Sequence, residues 1–107
     1  MEIANQDWKL FRSRLSSWQE AYMNRLNQEY AEILSGDGNP SDKFWTLEKR
    51  IRQDKRHPGV QLELRRSQVL NQLFFLLSDN VITFSDLEGF SDGLLNALHF
   101  LTDRKLE

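Results

Sequence analysis

The chain has 107 residues, 39% of them apolar and 11% aromatic, and its 14 Lys and Arg against 16 Asp and Glu leave a net charge of −2. That length suits one domain with a real core, and so much large apolar surface excludes a disordered chain. The lack of cysteine excludes disulfides, thiolate metal centres and a cysteine nucleophile, and it fits a reducing compartment.

From Trp8 the large apolar residues fall at Phe11, Leu15, Trp18, Tyr22, Leu26, Tyr30 and Ile33. Steps of three and four put them on one face of a helix, and that face is aromatic. Within it, Ser17 and Glu20 have the spacing of a capping box, so the chain either bends or breaks near Ser16. The helix is expected to stop at Gly36, in the left-handed conformation that follows a last turn. Asn39, Pro40 and Asp42 then form a helix start, with Asn39 as cap, Pro40 where its missing N–H costs nothing, and Asp42 at the positive end of the dipole. The capping role predicts that Asn39→Ala costs about 1 kcal/mol while Asp37→Ala is nearly silent.

The second helix is predicted from Pro40 to Arg56, burying Phe44, Leu47 and Ile51, and HPGV ends it. A third, from Val60 to Leu77, becomes apolar nearly all round in VLNQLFFLL and is expected at the centre. Ser85 and Glu88 make another capping box, opening a fourth helix lined by Leu87, Phe90, Leu94, Leu98 and Leu101. Its Gly89 and Gly93 read as close packing within a bundle or as simple tolerance of glycine. The opening MEIANQDWKLFRSR lacks a basic-then-apolar leader pattern, and the longest unbroken apolar run, Leu73 to Leu77, is five residues. No membrane span is expected, and the chain reads as cytoplasmic.

One stretch has the outline of a cation site. GDGNPSDKFWTLE sets Asp37, Asn39, Ser41 and Glu48 at the first, third, fifth and twelfth places of a calcium-binding EF-hand loop. Asp42 stands where such a loop needs glycine, and Pro40 starts a helix inside it, so no calcium is expected. The two histidines, His57 and His99, offer one same-face ligand pair, His99 with Asp103, too little for a metal centre. No carboxylate pair or glycine-rich phosphate loop is marked out, so no catalytic residue, cofactor or small-molecule substrate is expected.

Charge is uneven. Glu48 to Arg66 holds seven Lys or Arg against three Asp or Glu, and Ser78 to Glu107 holds two against six. Trp45, Lys49, Arg52 and Arg56 recur at steps of four, three and four, a basic stripe with an aromatic, as a phosphate-binding face would have. Arg65 and Arg66 extend this basic patch along the chain. The bland alternative places Trp45 in the core with the basic residues as its solvated rim. The acidic net charge favours that alternative.

The run GDGNPSDKFWTLEKRIRQDKRHPGVQLELRRS, with ITFSDLEGFSD further on, resembles a family of small uncharacterised proteins of Gram-positive bacteria. The likeness spans Trp18 to Leu101. It implies a compact all-α protein and carries over no activity, cofactor or binding residue.

The expected fold is an all-α single domain over residues 1–107, a bundle of four or five helices. Residues 1–16 form a separate first helix if the chain breaks, and 102–107 a frayed tail. Trp8, Phe11, Tyr22, Tyr30, Phe75 and Phe100 are many large residues for one small core. They point to a non-enzymatic interaction or regulatory module, either a homodimer or docked on a protein partner. Nucleic-acid binding through residues 48–66 is the alternative.

Overall fold

Asn5–Ser35 form one unbroken helix, α1, of 31 residues and so about 46 Å long. The computed structural model describes residues 1–106, with side chains described through Arg104. Residues 1–16 are therefore not a separate helix. Phe11, Leu15 and Trp18 are all buried in one helical register, and a break at Ser16 would take Trp18 out of line with the other two. A local capping box contributes about 1 kcal/mol. Burying one large apolar side chain contributes about 1.5–3 kcal/mol, so the shared register wins. Gly36 ends α1 in extended backbone, φ −72°, and the left-handed turn glycine is Gly38 at φ +133°.

Pro40–Asp54 form α2 with Asn39 at its N-cap, as the local signals require. Asn39 has the extended backbone of a cap, yet its side chain makes no capping bond. The Lys43 N–H donates to the Asn39 carbonyl at 3.1 Å, a bond any residue can supply. Asn39→Ala is therefore expected to cost only a few tenths of a kcal/mol, less than a working cap. A loss near 1 kcal/mol in urea unfolding would restore the capping role.

Val69–Ser78 form α3, nine residues later than the expected start at Val60. The intervening residues, 61–65, are extended, with Leu62 and Leu64 half-buried against the core and Gln61, Glu63 and Arg65 exposed. A period of two marks extended chain, and Gln72 Nε2 holds it by donating to the Glu63 carbonyl at 2.9 Å. A 3₁₀ turn at Phe84–Leu87 follows α3, capped by Thr83 and Asp86 instead of Ser85 and Glu88. The last helix, α4, runs Asp92–Leu106, so residues 102–106 continue it. Leu87 and Phe90 are buried from the connection that precedes it. The fold is all-α, with four α-helices among the described residues, none of them long and apolar enough to cross a membrane.

The core lies between the N-terminal half of α1, the whole of α3, the 3₁₀ turn and α4. Phe11, Val69, Leu73, Leu76, Leu87, Leu94 and Leu98 are sealed from solvent there. Arg66 ties the chain start to it, donating to the Ile3 carbonyl at 2.9 Å and to Asn5 Oδ1 at 2.5 Å. Asp7, 1% exposed, accepts from the Ser91 N–H at 2.8 Å and the Ser91 hydroxyl at 2.5 Å, joining α1 to the start of α4.

None of the α2 residues is buried. Phe44 and Ile51, expected in the core, are 61% and 38% exposed, and Leu47 is half-buried. The reason is length: α1 runs on past the core, and α2 folds back against that overhang alone. The result is a two-helix arm. The molecule measures 52 × 31 × 21 Å with a radius of gyration of 16.7 Å. A compact chain of this size would have about 13 Å.

Candidate interaction surface

The arm is held by a polar seam. Tyr30 on α1 donates its hydroxyl to Asp54 Oδ2 on α2 at 2.5 Å. Arg50 lies between Glu29 and Asp54, 3.5 and 3.6 Å away, with its guanidinium 5.7 Å from the Tyr30 ring centre. Burial, with help from the Asp54 hydrogen bond and charge, pushes the Tyr30 phenol up from 10.0 to about 12. Burial also raises Tyr22. The folded arm holds the Tyr30 proton more tightly than the unfolded chain, so its contribution to stability is complete below the ordinary value of 10.0 and is lost as pH rises through about 12. Ultraviolet titration is expected to show one tyrosine ionising near pH 12 that is absent from Tyr30→Phe. Normal titration of both tyrosines would show the seam to be open in solution.

With Lys43, Leu47, Arg50 and Asp54 turned toward α1, the opposite side of α2 faces away from the protein. At 100° per residue Trp45, Lys49 and Arg52 fall within about 60° of one another on that side, and Arg56 follows in the turn after α2, which ends at Asp54 and not at Arg56. Trp45 is 64% exposed, and its ring meets only Phe44, edge to face with centres 5.0 Å apart. Placing Trp45 in the core was therefore wrong, because nothing lies over the outer side of α2. Arg52 pairs with Glu48 at 2.5 Å, while Lys49 and Arg56 have no ion pair among the described residues. Lys49, Arg52, Gln53 and Arg56 border a shallow depression of about 220 Å³.

The six-residue basic patch expected from the sequence is thus divided. Trp45, Lys49 and Arg52 share the outer side of α2, and Arg56, just past its end, borders the same depression as Lys49 and Arg52. Arg65 lies on the extended segment and pairs with Glu63 at 3.2 Å. Arg66 is committed to the chain start.

On another side of the arm a groove of about 280 Å³ runs between α1 and α2, lined by Met23, Leu26, Tyr30 and Ile51 among others. Sequence spacing gave no sign of it, since it depends on how the two helices lie together.

His57 stands at the base of the arm and has partners the sequence hides. Its ring stacks on Tyr22, centres 4.8 Å apart, and its Nε2 lies 2.9 Å from Asp79 Oδ2. The Gly59 N–H donates to His57 Nδ1 at 2.9 Å, which puts the ring proton on Nε2 facing Asp79. Both ring nitrogens are engaged, so His57 acts as a fastener between the HPGV turn and the end of α3. The closeness explains Gly59: a Cβ there would sit 2.5 Å from the Tyr22 ring. His99 stacks on Phe84 at 3.9 Å and borders a separate open groove of about 560 Å³ with Thr102 and Asp103.

In the would-be calcium loop, Ser41 and Glu48 ride on α2, and Glu48 is paired with Arg52. Among the described residues no group of three His, Cys, Asp or Glu side chains is placed to hold a metal ion. Nor does the chain match any family model, curated protein or solved structure.

Proposed function

We propose that this protein is a non-enzymatic interaction module whose two-helix arm docks on a protein partner. The exposed Phe44–Trp45 pair on a projecting arm carries this reading. Contiguous exposed apolar side chains rimmed by polar ones mark interaction sites, and aromatic residues dominate binding energy where they are covered. Lys49 and Arg56, unpaired beside Trp45, favour an acidic partner surface.

The experiment is a tagged capture from the native cell with nuclease treatment, comparing the wild type with Phe44→Ala and Trp45→Ala. Proteins held by the wild type are expected to be lost from both variants, with affinity reduced about thirtyfold or more where Trp45 is an anchor. Capture unchanged by both variants would overturn the arm as the docking surface.

A second reading has an observation of its own. The exposure of Trp45 beside Lys49, Arg52 and Arg56 meets the geometric requirement for stacking a nucleic-acid base over a phosphate-binding row. The net charge of −2 opposes it, and the departure of Arg66 reduces the patch. Anisotropy with labelled single-stranded DNA separates the readings. Binding tighter than about 1 µM at physiological salt, lost in Lys49→Ala/Arg52→Ala/Arg56→Ala, would replace protein docking with nucleic-acid binding.

A further inference from the structure

We propose that the open cleft between the end of α3, the Phe84–Leu87 turn and α4 binds a small organic ammonium ion carrying an apolar group. The cleft lies apart from the arm, and the proposal goes beyond the docking reading.

Two features of the sequence are left unused by docking through the arm. One is the acidic last stretch, Ser78 to Glu107, with six Asp or Glu against two Lys or Arg. The other is the same-face spacing of His99 and Asp103 on α4. The fold brings them together, because every residue that borders the cleft except Leu77 comes from that acidic stretch, His99 and Asp103 included.

The walls are apolar. Leu77 from the last turn of α3 and Ile82 and Phe84 from the connection after it line the cleft. The His99 ring lies flat on Phe84, with centres 3.9 Å and planes 7° apart, so the imidazole is held as a further wall. The volume of about 560 Å³ lies in the range of clefts that take small molecules. A hydrocarbon group placed there leaves water on several sides at once.

The polar groups choose the sign of the charge. Asp103 has no ion pair or hydrogen bond among the described residues, and neither ring nitrogen of His99 has a hydrogen bond. Nearby acids are already engaged: Asp79 holds His57, and Asp86 accepts from the Thr83 N–H. The Thr102 hydroxyl donates to the Leu98 and His99 carbonyls, so it has only lone pairs left to offer. No Lys or Arg borders the cleft. An unpaired carboxylate among spare acceptors, set in an acidic stretch, attracts a cation that brings N–H donors and repels an anion. A metal ion lacks a third side-chain ligand among the described residues, which leaves an organic cation with a body for the walls.

The test is nuclear magnetic resonance titration of the whole chain with phenethylamine, a cation at neutral pH. Saturable shifts are expected at Leu77, Ile82, Phe84 and His99, with a Kd of about 1 mM or tighter, the scale for a probe of that size. Asp103→Asn should weaken binding about fivefold, as loss of an exposed ion pair does, and Glu88→Gln, an acid of the same stretch outside the cleft, should leave it unchanged. Phenylacetate has the ring with the opposite charge and ethylamine the charge without the ring, so neither should saturate by about 10 mM.

Phenylacetate binding as tightly as phenethylamine would overturn the selection for a cation, and ethylamine doing so would overturn the role of the apolar walls. Equal weakening by Glu88→Gln and Asp103→Asn would reduce the effect to net charge and remove the site. Lack of saturable shifts with phenethylamine by about 10 mM overturns the proposal and leaves docking by the arm untouched.

Discussion

Trp18→Ala is expected to cost about 3–5 kcal/mol of folding stability, the range for deleting a buried aromatic side chain. Trp18 is 9% exposed, with its ring 6.1 Å from Phe11 and 6.5 Å from Phe90, so truncation opens a cavity where α1 meets the connection into α4. A melting temperature lower by more than about 10 °C would follow for a domain of this size. Trp45→Ala, on α2 of the arm and 64% exposed, is expected to stay within about 0.5 kcal/mol of the wild type. Urea unfolding of the two variants side by side checks both. If Trp45→Ala costs more than about 2 kcal/mol, the outer side of α2 is covered within one copy and the arm is not free.

Asp7→Ala is the second large effect, expected at about 2–4 kcal/mol. Its carboxylate accepts both the backbone N–H and the hydroxyl of Ser91, and hydrogen bonds to a charged group contribute about 1.5–3 kcal/mol. The site also lies at the N-terminus of α4, where a negative charge is favoured by up to about 1 kcal/mol more. Ser91 Oγ in turn lies 3.4 Å from the Leu94 N–H, so the loss extends into the first turn of α4. A double-mutant cycle with Ser91→Ala should give a coupling of about 1–3 kcal/mol, because each variant removes the same hydroxyl bond. A cost below about 1 kcal/mol for Asp7→Ala would mean that water replaces the contact.

Asp7 also shows where a reading of residues stops. It stands four positions before Phe11, on the buried stripe that continues through Leu15 and Trp18, so its place was available from helical spacing. A scan for apolar residues passes over it and takes Trp8 in its stead, although Trp8 is only half-buried. Its partner, 84 residues away, has no local mark. His57 and Asp79 repeat the lesson, since they are 22 residues apart and neither carries a helical-spacing signal toward the other.

The third helix failed for a different reason. VQLEL alternates apolar and polar, the signature of extended chain, but it abuts the strongly helical VLNQLFFLL, whose apolar pattern runs back into it without a break. Of the six residues whose surplus suggested an interface, Phe75 and Phe100 are exposed and Phe11 is sealed. Phe44, assigned to the core, is more exposed than any of the six, because amphipathic spacing reports that a helix has an apolar side without reporting whether anything covers it.

What the sequence by itself determined is therefore local. The all-helical class, the Pro40 start of α2, the buried register of Phe11, Leu15 and Trp18, and the finding that no described helix is long and apolar enough to cross a membrane all follow from i to i+4 geometry, turn residues and hydropathy, which need no distant partner. Only the tertiary structure decided that α1 runs through Ser16, because the shared burial of Leu15 and Trp18 outweighs a local capping signal. It alone decided that α1 overshoots the core and leaves α2 on an arm, with Trp45 and its basic row facing out and the Met23–Ile51 groove uncovered. Those outcomes depend on how much of each helix the other helices reach, a balance of lengths and contacts across the whole chain that no single stretch of residues contains.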